Sequence, residues 1–345
     1  MLDVHSLEFY FRHDPQFEVA FTVNAEYHPT DSKHMAYRCF YETVTYDFLN
    51  QMCDGDKDSL QLILQMIGFF VLHVTPKRAF FWMGPAPASG KGVLLDLICR
   101  LLGSAQCCHI DAQKMGGKFS VSQLFNRRVN LGLESCGKLS SAAISTIKTL
   151  SGDSIMPIER KFKEGEDIPN YTKIVFASNE PINISESDMT DAFWDRCKLI
   201  FCGKSCAKNQ RDPFLIDKLW EEREILMSVV AWEAHELILN DFRFIEPEIS
   251  ATIKHQWRYM NENPISTFLR ERVKIHGKAC SFISTEELFD AFIQYTGVTT
   301  MNIKSFSSQL TKYSPAVLMR KKGYAPDKRR VNGFVNIELV DAGCL

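Results

Sequence analysis

Gly90-Lys91-Gly92 is the arrangement in this sequence best suited to holding phosphate. It follows the apolar run AFFWM and precedes VLLDLICRLLG, so strand, loop and helix come in order. Backbone N–H groups at a helix start point at phosphate oxygens, and a lysine there adds a charge for the β- and γ-phosphates. The loop departs twice from the spacing G-x-x-x-x-G-K-[ST]: Pro85 stands where the first glycine is expected, with Gly84 one residue early, and Gly92 replaces the hydroxyl residue. Neither Gly92 nor Val93 offers Mg²⁺ a side-chain oxygen, which leaves phosphates, water and an acid from elsewhere. Gly84, Ala88, Ser89, Gly90, Lys91, Gly92 and Val93 are therefore the candidate nucleotide-binding residues.

An acid of the required kind ends the apolar run Arg128 to Leu133: Glu134 sits where a P-loop fold supplies its Mg²⁺- and water-directing carboxylate, although a solvated strand end reads the same way. The run Lys173 to Ser178 delivers an amide, Asn179, suited to orienting a water beside a γ-phosphate. Seventeen residues later Arg196 precedes KLIF, where it can reach a phosphate held by a neighbouring subunit. Between Glu134 and Asn179, Ile158 to Lys163 sets three bases around an aromatic. Lys161, Phe162 and Lys163 suit the backbone and bases of a single strand, or form a solvated hairpin tip. Near the C-terminus Arg320, Lys321, Lys322, Lys328, Arg329 and Arg330 place six bases within eleven residues, a phosphate-contacting wing or a solvated turn.

The elements that must carry these groups follow from hydrophobic periodicity. Residues 34–53 and 58–74 predict two helices joined by Asp54-Gly55-Asp56. Short apolar runs at Val129 to Leu133, Lys173 to Ala177 and Lys198 to Phe201, separated by helix or loop, predict an α/β domain with a mainly parallel sheet. A long helix is expected over 212–241 and another over 251–276, broken at Asn263-Pro264. Ser284 and Glu287 form a capping box opening STEELFDAFIQYTG. NIKSFSSQLTKY and a basic hairpin over 317–339 complete the order of a winged-helix module. The expected divisions are a helical module 1–77, a P-loop core 78–210, a helical extension 211–262 and a basic winged-helix-like domain 263–345.

A chain of 345 residues with 45% hydrophobic content can build about two cores of the usual ~150 residues. Forty basic against 42 acidic residues exclude a polycationic nucleic-acid coat, but the charge is uneven. Residues 1–78 carry 6 basic and 11 acidic side chains, whereas 251–345 carry 14 and 8. Eleven cysteines, an odd number without CxxC pairs, predict reduced thiols; Cys197, Cys202 and Cys206 lack ligand spacing, and no metal site is expected of them. The first residues do not form a signal peptide, and Leu60 to Val74 falls short of the roughly 20 apolar residues that span a bilayer. A protein of the cytoplasm, with no membrane partner, is expected.

The ordered set GKG, Glu134, KTLSGD, IERKFK, FASNEPI and FWDRCKLIF resembles the superfamily 3 helicases of the AAA+ class, particularly the phage and plasmid primase-helicase proteins and the related poxvirus primase-helicase, over about residues 20–245. The resemblance implies Lys91 as Walker A lysine, Glu134 as Walker B acid, Asn179 as sensor and Arg196 as arginine finger. It implies that Lys148 to Asp153 with Arg160 to Lys163 form a pore hairpin, Lys161 best matching its DNA-contacting lysine and Lys163 next. Where the family often has two adjacent acids, this chain has Leu133 before Glu134. An AAA+ core between a small helical domain and a winged helix is implied, with ATP and Mg²⁺ as cofactors. So is a ring, a hexamer by family, moving 3′ to 5′ on single-stranded or forked DNA during replication of a phage, plasmid or other mobile element. The upstream primase domain of the family has no room, so a separate primase or replication initiator is an expected partner.

Two other readings stay open. GKG also occurs in nucleoside monophosphate kinases, which continue with Thr where Val93 stands and have no use for the basic segments. A ring that binds ATP and DNA as an assembly platform, hydrolysing weakly because its Mg²⁺ ligands are depleted, is the other.

Overall fold

Short runs that are apolar at every position suit strands covered on both faces, and the computed structural model builds a central sheet from them. It describes residues 22–27, 30, 32–75, 77–117, 120–135, 137–158, 166–185, 190–260, 264–275, 282–297, 301–313, 319–324, 330–335 and 337–339. Two compact units divide the chain, Met1–Arg258 and Tyr259–Leu345.

The first unit opens with helices α1 (Lys33–Phe40), α2 (Val44–Met52) and α3 (Lys57–Val71). Next come β1 (Phe80–Pro85), α4 (Lys91–Leu102), β2 (Cys107–Cys108), α5 (Ser120–Gln123), β3 (Val129–Gly132), β4 (Lys138–Leu139) and α6 (Ser141–Gly152). Then follow β5 (Ile155–Ile158), β6 (Glu166–Pro169), β7 (Lys173–Ala177), β8 (Asn183–Ile184), α7 (Asp191–Arg196) and β9 (Cys197–Cys202). Helices α8 (Leu215–Glu221), α9 (Arg223–Leu239) and α10 (Glu248–Met260) come last. The main sheet has the order β2-β3-β7-β1-β9, and every neighbouring pair is parallel. All five carboxyl ends therefore share one edge, and all five amino ends the other.

Alternation along each strand divides the interior in two. Phe81, Met83, Leu131, Val175 and Ile200 pack on the side covered by α3, α4 and α9, while Phe80, Trp82, Ile174, Phe176 and Leu199 pack on the side covered by α6, α7 and Trp257 of α10. Truncating a ring such as Phe176 to alanine costs about 3–5 kcal/mol in sites of this kind. Phe69 of α3, Leu97 of α4 and Val229 of α9 belong to one core, which also takes residues of α1, α2 and α8, so these helices are layers of the sheet's own unit. The physical reason is area: α4 alone cannot cover that sheet face.

Three predicted helices are divided or shortened by polar groups. The run 34–53 becomes α1 and α2, because Thr43 Oγ1 accepts from Tyr46 N at 3.0 Å as an N-cap and donates to Phe40 O at 2.6 Å. The run 212–241 breaks at Glu222, whose carboxylate instead accepts from Val44 N at 2.9 Å and Thr45 N at 2.8 Å, satisfying the orphan donors that begin α2. Helix α3 stops at Val71 rather than Val74. There Arg128 Nε and Nη2 donate to Phe70 O and Val71 O, each at 2.7 Å, and Lys173 Nζ donates to Leu72 O at 2.8 Å and Val74 O at 2.7 Å. Carbonyls at and beyond a helix end have no partner within it, and two buried cations supply them here. Burial, with Arg128 adding to it, holds the Lys173 ammonium well below the usual lysine range. Strand β3 ends at Gly132 rather than Leu133, which is exposed.

In the second unit α11 (Pro264–Arg272), β10 (Val273–Ile275), β11 (Phe282–Ser284), α12 (Thr285–Thr296) and α13 (Ile303–Tyr313) precede β12 (Met319–Tyr324), β13 (Arg330–Val335) and β14 (Ile337–Leu339). Strands β11-β13-β12 form an antiparallel sheet, and β10 pairs with β14. Phe268, Phe292, Phe306 and Phe334 fill the core. Ser284 Oγ accepts from Glu287 N at 3.1 Å, so the predicted cap opens α12. Among the described residues no helix is long and apolar enough to cross a membrane.

Candidate functional site

The chain leaves β1 at Pro85 and arches through Ala86 to Gly90 into α4. Two loop residues are left-handed, Ala88 with φ 51° and Gly90 with φ 98°. At Gly90 glycine is needed twice over, for that φ and because a Cβ would collide with the Phe48 ring of α2. Gly92 is under no such demand, since a Cβ there would meet open space. Inside the arch Lys91 Nζ donates to Ala86 O at 2.5 Å, Asn179 Oδ1 at 2.8 Å and Ser89 Oγ at 3.3 Å, one acceptor for each of its three protons. Burial lowers the Lys91 pKa. It also pushes the nearby Cys202 thiol up to about 12, so the sulfur beneath the loop is neutral and does not compensate the ammonium.

Above the loop, on the carboxyl edge of the sheet, lies a cleft of ≈ 1340 Å³ lined by Ser89, Lys91, Glu134 and Asn179 among others. Parallel pairing explains the meeting: β7 lies between β1 and β3, and Asn179 and Glu134 each follow the last strand residue by two. Ser135 N donates to Ala177 O at 2.9 Å and ties the Glu134 turn to the Asn179 turn. Glu134 itself is exposed, with φ 52°. It fits Mg²⁺ as a single carboxylate, the manner in which Mg²⁺ binds beside substrate phosphates while keeping several waters. Among the described residues no three His, Cys, Asp or Glu side chains group as a protein-only cage.

Other predicted residues lie elsewhere. Gly84 is inside β1, paired with Phe201, and does not line the cleft: the cradle begins beyond the strand. Ala88, Gly90, Gly92 and Val93 do line it. Arg196 is half-buried at the amino edge, next to the Cys197–Phe80 pairing, and its Nη1 donates to Lys148 O at 2.7 Å. Strands β5 and β6 pair antiparallel as the arms of a hairpin. Its tip, with Lys161, Phe162 and Lys163, lies outside the described residues, as do Lys328 and Arg329. Arg320 and Lys321 are in β12; Lys322 and Arg330 are exposed on β12 and β13.

Sequence reasoning missed two walls of the cleft. Asp47, Phe48 and Gln51 come from α2, and Lys204, Arg211 and Asp212 from the segment after β9. No local pattern marks them, since long-range packing alone brings them to the loop. The one available hint was a glycine at position 90, which signals close approach of something else.

A family model described as a family of unknown function, DUF5906, matches residues 82–197, the stretch from β1 to the start of β9. No curated protein matches the chain. Among solved structures, the A form apo structure of the NrS-1 C-terminal region is 14% identical, with a TM-score of 0.58 over 90% of this chain and 77% of that one. A second apo structure of that region, residues 305–718, is 16% identical, with a TM-score of 0.56 over 94% of this chain and 79% of that one. At such identity the likeness is one of fold: an α/β chain whose five-stranded parallel sheet carries Lys91, Asn179 and Glu134 to one cleft resembles the NrS-1 C-terminal region through most of its length.

Proposed function

We propose that this chain is an ATP-hydrolysing DNA motor of replication, a ring-forming helicase of the superfamily 3 type. The observation that carries the reading is the delivery of Lys91, Asn179 and Glu134 to one cleft by the adjacent strands β1, β7 and β3. Lys91 and the loop amides hold the β- and γ-phosphates; Asn179, already bonded to Lys91, reports the γ-phosphate; Glu134 orients the attacking water. Glu134 would be the protein carboxylate that holds Mg²⁺ brought with the nucleotide, and the ion would supply neutralisation of charge on the transferring phosphoryl group. Arg196 lies outside its own chain's cleft and acts on the nucleotide of a neighbour, which makes the ring, a hexamer, part of the site. The β5–β6 hairpin presents Lys161 and Lys163 to single-stranded DNA, and the second unit, a winged helix, adds the basic strands β12 and β13. Movement is 3′ to 5′, with a separate primase or initiator as partner.

The order of the motifs supports the helicase reading, and the fold likeness to the NrS-1 C-terminal region supports the core. ATP turnover with and without single-stranded DNA, run beside sizing with nucleotide, is the test. Turnover stimulated by DNA in a ring-sized species is expected. Nucleotide binding without turnover would replace the motor by an assembly platform, and turnover that needs a nucleotide acceptor by a kinase.

A further inference from the structure

The segment between β9 and α8 runs along the phosphate loop like an extra strand. Ala86 N donates to Cys202 O at 2.9 Å, Ser205 Oγ to Pro87 O at 2.6 Å and Cys206 N to Ala88 O at 3.0 Å. On its other side Gly203 N donates to Met52 O at 3.0 Å, at the end of α2. The backbone here is thus fixed on both sides, and it carries Lys204 and Arg211 into the cleft that holds Lys91. Both are exposed, and among the described residues neither has a hydrogen-bonding, ion-pair or ring partner. The neighbouring acid does not pair with them: Asp212 accepts instead from Lys218 Nζ at 2.6 Å and from Phe214 N at 2.9 Å.

Unpaired cations in a cleft raise its potential and concentrate anions there. The adjoining wall, α2 and its following turn, has the opposite character, with Asp47 and with Asp54 beside Gly203. That wall repels phosphate and suits hydroxyl and amine donors. Gly92, meanwhile, withholds the metal-binding hydroxyl although a side chain would fit, so the site neutralises its ligand by other means. We propose that Lys204 and Arg211 are phosphate-binding residues of this same site, supplied in cis, for a nucleoside di- or triphosphate. Strand β9 flanks β1 on the side away from β7, so the two cations meet the phosphate chain at the end remote from Asn179 and Glu134. They grip the phosphates nearest the nucleoside, which ADP and ATP share.

The inference rests on the P-loop reading, and its test separates the two. ADP and ATP affinity of the full chain is measured with Mg²⁺ and in EDTA, for the unmutated protein, Lys91→Ala and the double variant Lys204→Gln/Arg211→Gln. Loss of each charge-assisted hydrogen bond is worth roughly ten- to hundredfold in affinity, so the double variant should weaken both nucleotides roughly a hundred- to ten-thousandfold. The loss should be greater in EDTA, and KM should rise with little change in kcat, the signature of binding shared by ground and transition states. The conservative pair Lys204→Arg/Arg211→Lys should recover most of the affinity. A folded double variant that binds ADP and ATP as the unmutated protein does, in Mg²⁺ and in EDTA, overturns the proposal and leaves the P-loop reading standing. An unmutated protein that binds neither nucleotide overturns both.

Discussion

Cations sit at both edges of the main sheet, and their partners set them apart. At the carboxyl edge Lys91 is bonded to a loop carbonyl, a serine hydroxyl and an exposed asparagine, all beside an open cleft. At the amino edge Lys173 and Arg128 are buried and donate to the final carbonyls of α3 and those just beyond it. The first set of acceptors can be exchanged for phosphate or water. The second cannot, because it is enclosed and a helix end would be left unpaired. A buried lysine is thus read by what its partners could accept instead of it.

Lys91→Ala breaks the comparison hardest. Turnover should vanish while the thermal transition stays close to that of the unmutated protein, since water in the cleft can take over the released acceptors. Turnover that persists in a folded Lys91→Ala protein ends the P-loop assignment. Arg196 is the amino-edge cation that differs from its neighbours, being half-buried with one carbonyl bond from Nη1. Arg196→Ala should keep nucleotide binding and lose on the order of 10³- to 10⁵-fold in rate. Mixing it with Lys91→Ala subunits should restore part of the activity, and an absence of rescue under subunit exchange would make Arg196 structural.

Lys173→Met gives the converse result, with nucleotide affinity retained and stability lowered by about 2–4 kcal/mol as two buried carbonyls lose their donor. Its pH dependence has a definite sign. The folded pKa is depressed, so between that value and the usual lysine value of about 10.4 the unfolded chain binds the extra proton, and stability rises with pH through this window. Denaturant unfolding across a pH series that reaches about 10 should show the rise in the unmutated protein and its loss in Lys173→Met. A smaller effect is expected of Lys161→Ala. Each phosphate that a cation grips on a single strand adds about −0.7 to the slope of log affinity against log salt, so removing one such grip from every engaged subunit flattens that slope. An unaltered slope, with stimulation of turnover by DNA intact, would assign DNA binding to the strands of the second unit.

The sheet was legible because its strands are short, apolar throughout and separated by helical periodicity, and parallel pairing then places every strand-end residue on a common edge. Glu134 and Asn179 could be picked by that position alone. Helix breaks were less legible. Tyr41 to Thr43 interrupts α1 and α2 without a glycine or proline, and Glu222 looks like any solvated acid until Val44 and Thr45 are seen to need it. Lys173 and Arg128 read as ordinary strand flanks because burial depends on α3, about 100 and 57 residues away in the chain. Lys204, Arg211 and Phe48 were invisible for the same reason, as packing between distant parts of the chain leaves no periodicity.

The three bonds of the Lys91 ammonium have one more consequence. A side chain ordered only on binding would cost roughly 0.5–1.5 kcal/mol of rotamer freedom at that moment. Here the three bonds already surrender that freedom, so on the proposed reading an arriving phosphate would swap partners on a charge that is already aimed. Capture then needs a ligand able to displace a carbonyl, a hydroxyl and an amide together. A single weak anion such as chloride is a poor competitor for that, and the loop's resting bonds act as a threshold for selectivity before any base or sugar is recognised.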